Sequence, residues 1–264
     1  DYPEQEKDNN ITLTSGKNIV LSNVSFSYNE EPTLKDINMI FKPSTKTALV
    51  GESGSGKSTI IKLILGLNSN YAGSIKYDTF DIDTIPANKM SKIATLITND
   101  SYLVQGSIRS HLSVNKHITE EDMYNALEKV NLKDFVIENG GLDYELSCGA
   151  SNLSGGQKQR LLAAKAILKD SYIYILDEAV SNIDDYSKKI VLDAFDSIKN
   201  GKIIVVISHD LETITNSDNI YVLKDQQIIE EGTHEQLIDQ PSLYKKLFND
   251  QQQLKEKFLA KEVE

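Results

Sequence analysis

Two stretches near the start of the chain alternate apolar and polar residues, the pattern of strands with one buried face. They are IVLSNVSFSY, which starts at Ile19, and LKDINMIF, which ends at Phe41, with the turn sequence Asn29–Pro32 between them. This arrangement predicts a pair of antiparallel strands. The preceding residues 1–18 are polar with little periodicity, so we interpret them as a linker, the alternative being a frayed end of the chain.

Further along, the pattern changes to short, almost wholly apolar runs that alternate with helical periods. The apolar runs are Thr47–Val50, Tyr172–Leu176 and Ile203–Ile207, and the helical patterns cover Ser58–Gly66, the residues after Ser154, and Ser187–Ile198. Such apolar runs are typical of strands that are buried on both faces. Strands and helices in alternation predict a mostly parallel sheet with helices on both sides.

A helical segment interrupts this alternation between residue 100 and about residue 165. Its clearest helix is Thr119–Asn131, in which Thr119 is a good N-cap, acidic residues fill the first turn, and apolar residues recur at helical spacing. We interpret this segment as a helical subdomain inserted into a main domain of residues 19–240. Residues 241–264 have a charged helical pattern that we interpret as a tail.

Composition narrows the class of protein. The chain has 264 residues, of which 39% are hydrophobic and 25% charged, as is typical of soluble globular proteins. No apolar run approaches the roughly 20 residues of a membrane-spanning helix. A net charge of -11 disfavours nucleic acid as a partner. The single cysteine, Cys148, excludes an internal disulfide, and Asp1 in place of Met indicates a fragment of a longer protein.

The sequence Gly51-Glu-Ser-Gly-Ser-Gly-Lys-Ser58 carries the strongest chemical signal. It matches G-x-x-x-x-G-K-[ST] and lies between a predicted strand and a predicted helix. The glycines let the backbone wrap closely, so that N–H groups and the helix N-terminus point at a β-phosphate. Lys57 would reach the β- and γ-phosphates, and the Ser58 hydroxyl would hold Mg²⁺. The motif predicts nucleotide binding.

Acidic and basic groups follow two of the predicted strands. Asp177 ends the strand that starts at Tyr172, where it can hold Mg²⁺ through its water shell. The next residue, Glu178, could accept a proton from an attacking water, the alternative being a solvated surface acid. His209 follows the strand Ile203–Ile207, where it would be either a γ-phosphate contact or a capping or packing residue.

A second glycine-rich helix start is found in the sequence NLSGGQKQRL, which begins at Asn152. Together the motifs resemble those of the nucleotide-binding domain of ABC transporters, in the family's order and approximate spacing. They are GESGSGKST (51–59), LSGGQKQR (153–160), YIYILDEA (172–179), SNID (181–184) and ISHD (207–210). The resemblance extends from Ile19 to Leu237. LSGGQ between the other two motifs is highly specific to this family.

The resemblance implies an α/β fold, a P-loop NTPase (RecA-like) core with an antiparallel β subdomain and an inserted helical subdomain. It implies that ATP is held by a set of residues comprising Tyr28, Gly51, Ser53, Gly54, Ser55, Gly56, Lys57, Ser58 and Thr59. Tyr28 matches the aromatic residue that stacks on adenine, the alternative being an ordinary strand tyrosine. Glu178, His209 and Lys57 would be catalytic, and Ser58 and Asp177 would hold Mg²⁺.

The resemblance also implies partners. In the family two such domains pair head to tail, so that Ser154, Gly155, Gly156 and Gln157 would contact ATP bound to a second nucleotide-binding domain. The sequences GSIR (106–109) and EEGTHEQLI (230–238) look like the exporter branch, in which a transmembrane domain usually precedes this domain on the same chain. The expected location is the cytoplasmic face of the cell membrane. The cargo, whether peptide, lipid or small molecule, is not encoded in this chain.

Three positions depart from the family's pattern. Asn99 takes the place of a glutamine that contacts nucleotide and Mg²⁺, and its side chain is one methylene shorter. Its carbonyl would therefore reach Mg²⁺ through water or after a small shift, with weakened coupling but retained hydrolysis. The sequence 149–152 is GASN where exporters often have GERG, and Asp210 stands where arginine is common. Because of these departures we consider two kinds of pair, a homodimer and a heterodimer whose partner differs in sequence.

Two other functions compete with that of a transport ATPase. One is a soluble ABC ATPase that acts on DNA or ribosomes, which the acidic charge, the single motif set and the absence of a long coiled-coil insertion disfavour. The other is a module that binds ATP without turnover, as in a degenerate half of a transporter pair. The presence of both Glu178 and His209 favours turnover.

Overall fold

The computed structural model of the protein describes residues 11–262, with side chains described as far as residue 257. Within that range the strands are β1 (Ile19–Ser27), β2 (Pro32–Phe41), β3 (Thr45–Gly51), β4 (Ala72–Tyr77), β5 (Phe80–Asp81), β6 (Ala94–Thr98), β7 (Gly106–Ser107), β8 (Glu145–Leu146), β9 (Ile173–Asp177), β10 (Ile203–Ile207), β11 (Asn219–Lys224) and β12 (Gln227–Gly232). The α-helices are α1 (Lys57–Ile64), α2 (Ala87–Ile93), α3 (Ile108–Leu112), α4 (Glu120–Lys129), α5 (Lys133–Glu138), α6 (Gly155–Leu168), α7 (Asp185–Ser197), α8 (His234–Ile238) and α9 (Leu243–Glu262).

The largest sheet has six strands in the order β12-β11-β3-β10-β9-β6. All neighbours are parallel except β11 and β12, which form an antiparallel pair. The mostly parallel sheet predicted from the sequence is therefore confirmed. Strands β3, β9 and β10 are neighbours in parallel register, so their carboxyl ends meet at one edge. Loops that follow parallel strands at such an edge are where α/β proteins bind ligands.

Helices cover both faces of this sheet. Side chains at alternate positions of one strand therefore enter two separate cores. In β9, Tyr174 and Leu176 pack into one core, while Ile173 and Ile175 pack into the other. All four side chains are almost fully buried. Burial on both faces explains why this strand is apolar at every position before its terminal aspartate.

A second, antiparallel sheet has the order β2-β1-β4-β5. Its first hairpin, β1 paired with β2, confirms the strands predicted from alternation. The hairpin of β4 and β5, the hairpin of β11 and β12, and helix α2 were not predicted. Two of these strands also pair with strands that lie far away in sequence, β4 with β1 and β11 with β3.

The segment between β6 and β9 contains α3 to α6 and the small β7-β8 pair, as expected for a helical insertion. Thr119 caps α4 in a reciprocal capping box with Asp122, which confirms that predicted helix start. The predicted helix Ser187–Ile198 begins two residues earlier, at Asp185. The reason is that the Asp184 side chain accepts a hydrogen bond from the Ser187 amide at 2.9 Å and so caps the helix.

The ends of the described chain pack on the domain. The predicted linker falls partly outside the described residues, but residues 11–18 lie against the domain, where Ile11 is buried and the Tyr77 hydroxyl donates to the Thr14 carbonyl at 2.5 Å. The tail is helical, as predicted, in α9. None of the helices between residues 11 and 262 has the length and apolar character needed to span a bilayer.

Candidate nucleotide site

The loop between β3 and α1 is built around two glycines that no other residue could replace without strain. Gly51 and Gly56 both have positive φ angles, 156° and 103°. A Cβ on Gly51 would lie 2.4 Å from the carbonyl oxygen of Leu223, and a Cβ on Gly56 would lie 2.4 Å from Cδ2 of Leu34. The backbone of this loop is thus pressed against neighbouring strands, leaving its N–H groups to form a cradle at the N-terminus of α1.

Lys57 lies inside this loop and is almost fully buried. Its ammonium group donates to the carbonyl oxygens of Gly51 at 2.8 Å and Glu52 at 2.9 Å. Burial lowers the pKa of Lys57, and the carboxylates of Glu178 and Asp177 oppose that shift. A buried cation at the mouth of a loop of amide donors is suited to an anion with several charges, such as a triphosphate.

Ser58 and Asp177 meet beside the loop. The Ser58 hydroxyl lies 3.5 Å from Oδ2 of Asp177. Burial and the neighbouring charge of Glu178 raise the pKa of Asp177, against the opposing effects of Ser58 and Lys57. No cluster of three or more histidine, cysteine or acidic side chains capable of holding a metal occurs in the described part of the chain. One hydroxyl and one carboxylate fit Mg²⁺, which takes few protein ligands and completes its shell with phosphate oxygens and water.

Glu178 and His209 form a contact at the ends of adjacent strands. Oε1 of Glu178 lies 2.8 Å from Nε2 of His209, and the two side chains are 33% and 53% exposed. Glu178 has φ of 53°, in the left-handed region, and its N–H donates to the Ile207 carbonyl at 2.9 Å. Such backbone strain in a residue other than glycine is common at functional sites. The exposure of His209 argues against the alternative that it is a packing residue.

Tyr28 lies just beyond β1 with 51% of its surface exposed. Phe26 contacts the ring edge to face at a centroid distance of 4.9 Å, and the hydroxyl accepts from Nδ2 of Asn68 at 2.9 Å. Nζ of Lys62, on α1, lies 5.8 Å from the ring centroid. The ring is thus both fixed and open to a flat ligand. Asn68 and Lys62 were not singled out from the sequence, because only the fold brings them to Tyr28.

The signature residues, which are those of the LSGGQ sequence 153–157, occupy the start of α6. Ser154 and Gln157 form a capping box. The Ser154 hydroxyl accepts from the backbone N–H of Gln157 at 3.1 Å, and the side-chain Oε1 of Gln157 accepts from the backbone N–H of Ser154 at 2.8 Å. Gly156 is buried, and a Cβ there would lie 2.2 Å from Oγ of Ser187. Gly155 has open space instead, with no neighbouring atom closer than 3.9 Å.

The predicted site residues therefore fall into two groups. The loop residues 51–59 meet Asp177, Glu178 and His209 at one edge of the sheet. The hydrogen bonds and ion pairs between residues 11 and 257 do not connect the signature residues to this group. Asn99 is exposed one residue beyond Thr98, whose backbone is in register with Asp177 on β9.

These features define a P-loop ATP-binding domain with a separate signature helix. The family model described as ABC transporter matches residues 34–181, more than half of the chain. The chain therefore belongs to the ABC transporter family, as the sequence motifs indicated.

Similar proteins support the same assignment. The chain is 36% identical over 239 residues to the ATP-dependent lipid A-core flippase of Saccharophagus degradans, covering 88% of this chain and 40% of that protein. It is 37% identical over 233 residues to a mycobactin import ATP-binding/permease protein of Mycolicibacterium smegmatis, covering 87% of this chain and 27% of that protein. The structure of a bacterial Atm1-family ABC exporter with ATP bound superposes with a TM-score of 0.83 at 26% identity, over 91% of this chain and 43% of that one.

The chain spans less than half the length of these curated relatives. Their remaining parts have no counterpart in the sequence described here.

Proposed function

We propose that this chain hydrolyses MgATP as one member of a head-to-tail pair of nucleotide-binding domains, and that hydrolysis drives export through a transmembrane domain. The contact between Glu178 and His209, beside the loop that holds Lys57, is the observation that carries the proposal. A site for binding alone needs the loop but has no use for a carboxylate and an imidazole held 2.8 Å apart at its open edge.

Each residue has a role that follows from its position. Lys57 and the amide donors of the loop neutralise charge on the β- and γ-phosphates, in a buried setting where such interactions are strong. The Ser58 hydroxyl and Asp177 would hold Mg²⁺, which when bound neutralises charge on the phosphate oxygens. Glu178 accepts a proton from the attacking water, and His209 orients the γ-phosphate and fixes the carboxylate of Glu178.

A partner subunit completes the site. The amides of Gly155 and Gly156, in the first turn of α6, have no intrahelical acceptor, whereas the Gln157 amide is capped by Ser154. These donors at a helix N-terminus suit the γ-phosphate of ATP bound to a second domain. The pair can consist of two identical chains or of two different ones, since nothing in this arrangement requires identical partners.

The transmembrane domain has a candidate contact surface next to Asn99. A groove of about 390 Å³ lies between β6 and α6, with apolar side chains at its rim, among them Tyr102, which is 79% exposed, and Leu96, which is 40% exposed. We expect a cytoplasmic segment of the transmembrane domain, at the inner face of the membrane, to fill it. Asn99→Gln should then strengthen the coupling of hydrolysis to transport, and unchanged transport-coupled ATPase in this variant would contradict that role for Asn99.

The test compares phosphate release by the full-length protein in lipid vesicles for the wild type and Glu178→Gln. We expect the wild type to release phosphate with Mg²⁺ and ATP, and Glu178→Gln to bind ATP with little release. No release by either protein would favour a module that binds without turnover. Stimulation of the ATPase by DNA or ribosomes instead of by a transported compound would favour the soluble alternative, and vesicle uptake assays in both orientations test the direction of transport.

A further inference from the structure

The tail helix α9 contacts the loop that carries His209. The side-chain amide of Gln251 spans this loop. Its Nε2 donates to the carbonyl oxygen of His209 at 2.5 Å, and its Oε1 accepts from the backbone N–H of Leu211 at 3.0 Å. One side chain of the tail therefore fixes the backbone on both sides of Asp210, directly behind the imidazole that meets Glu178.

Two further residues of α9, Gln252 and Lys255, contact the same loop through a hydrogen bond and ion pairs. Nζ of Lys255 lies 3.1 Å from Oδ1 of Asp210 and 2.6 Å from Oε2 of Glu212, and Nε2 of Gln252 donates to Oε1 of Glu212 at 2.5 Å. Positions 251 and 255 are four residues apart and so lie on one face of the helix. That face presents polar groups to every residue of the loop from 209 to 212.

Helix α7 also contacts Asp210, through the second carboxylate oxygen. Nζ of Lys188, on α7, lies 3.1 Å from Oδ2 of Asp210. Burial raises the pKa of Asp210, but the hydrogen bonds and charges of Lys255 and Lys188 lower it overall, so that the carboxylate is ionised. Asp210 therefore has a defined cationic partner on each side.

Helix α9 also contacts the domain through residues other than Gln251. Its first turn is held by Glu230, whose carboxylate accepts from the amides of Leu243 and Tyr244 at 2.5 and 3.0 Å. Tyr244 is fully buried, and its hydroxyl lies 2.8 Å from Nδ1 of His234. The helix thus has an anchor in its first turn and a separate set of polar contacts two turns later.

From this arrangement we infer that Gln251 is a positioning residue of the ATPase site, acting through the backbone of His209. By fixing the carbonyl of His209 and the amide of Leu211, Gln251 keeps the imidazole directed at Glu178 before and during turnover. The inference rests on the proposed ATPase function. It gives the tail a part in catalysis rather than in packing alone.

The experiment measures kcat, KM for ATP, the number of ATP-binding sites and the Tm for the full-length natural protein and three variants. Gln251→Ala removes both hydrogen bonds. Gln251→Glu keeps an acceptor for Leu211 but turns a carboxylate oxygen toward the carbonyl of His209. Gln253→Ala is the matched control, because it makes the same chemical change at an exposed position of the same helix.

We expect kcat per ATP-binding site to fall about tenfold in Gln251→Ala, as the loss of roughly one to two hydrogen bonds would cause, and KM to change less than about twofold. Gln251→Glu should lower kcat at least as much. Gln253→Ala should match the wild type. A kcat for Gln251→Ala within about twofold of that of Gln253→Ala would overturn the inference.

Two further outcomes are decisive. If the fall in rate disappears when rates are expressed per ATP-binding site, the tail only stabilises the fold and the inference is wrong. Should Gln251→Ala yield too little folded protein, Gln251→Glu carries the test, because it loses the donor to the His209 carbonyl but keeps a side chain of the same length, and a kcat within about twofold of that of Gln253→Ala would then overturn the inference. Absence of hydrolysis in the wild type and in Gln253→Ala would instead contradict the proposed function.

Discussion

Nε2 of His209 lies 2.8 Å from Oε1 of Glu178, although 31 positions separate the two residues along the chain. They meet because β9 and β10 are adjacent and parallel, so that the residues following both strands emerge at the same edge. The contact joins the group that would take a proton from water to the group that would orient the γ-phosphate.

Replacement of His209 tests that contact. We expect His209→Ala to lower kcat by about 10²- to 10⁴-fold, because Glu178 would lose the imidazole that positions it as the general base, with ATP affinity changed little. Phosphate release and equilibrium ATP binding measure the two effects. His117→Ala is a suitable control, because His117 is exposed in the helical segment. Full activity in His209→Ala would show that the imidazole is not part of the catalytic site.

The signature helix provides a test of the head-to-tail pair. Ser154→Arg should abolish hydrolysis, because a long cation would fill the space meant for a partner's nucleotide, while ATP binding to the isolated chain stays nearly intact. Ser154→Asn preserves an N-cap and separates loss of the cap from loss of the interface. If ATP binding to the monomer collapsed in Ser154→Arg, the assignment of this residue to the partner's site would be wrong.

The two glycines of the signature should differ sharply in their tolerance of a methyl group. Gly156→Ala places a Cβ 2.2 Å from Oγ of Ser187, so we expect a loss of about 1–3 kcal/mol in the free energy of unfolding. Gly155→Ala meets no atom closer than 3.9 Å and should be neutral or slightly stabilising. Urea unfolding measures both.

A second substitution identifies the cause. Ser187→Gly removes two of the three atoms nearest to the new methyl group, leaving Oδ2 of Asp184 at 2.7 Å, and should restore part of the stability of Gly156→Ala. Equal losses in Gly155→Ala and Gly156→Ala would contradict the packing described here.

Asp177 should oppose folding when no metal is bound. Its pKa is raised in the folded chain, first by burial and then by Glu178. The ionised carboxylate therefore costs stability, a cost that is absent below the unfolded-state pKa of about 3.9 and complete once the pH exceeds the raised pKa of the folded state. Asp177→Asn should thus raise the Tm of the nucleotide-free chain at pH 7 and abolish Mg²⁺-dependent hydrolysis.

Thermal unfolding across a pH series measures this effect. The difference in Tm between wild type and Asp177→Asn should shrink as the pH falls toward about 4. Asp193→Asn, the same change at an exposed position of α7, should show no such trend. A lower Tm for Asp177→Asn at pH 7 would mean that the carboxylate stabilises the empty site.

The local chemistry of the site could be predicted from the sequence because it depends on residues that are close together along the chain. The phosphate loop needs glycines at fixed spacing before a helix, and the sequence 51–58 supplies them. Thr119 and Asp122 formed the capping box that their spacing favours. The apolar run before Asp177 identified a strand buried on both faces.

Contacts between distant segments could not be predicted, because no local pattern records which segments become neighbours. The strands β4 and β11 pair with β1 and β3, which lie far away along the chain, and their own sequences do not record these partners. The same limit applies to Tyr28 and Asn68, whose hydrogen bond joins residues 40 positions apart.

The sequence by itself thus determined the family, the phosphate loop and the identity of the acidic and imidazole groups, since each is written in residues that adjoin one another. The tertiary structure alone decided that Glu178 meets His209, that Gly156 packs on Ser187, and that Gln251 holds the loop of His209 from 42 positions away. The physical reason is that hydrogen bonds and close packing depend on distances in space, which only the folded arrangement of strands and helices sets.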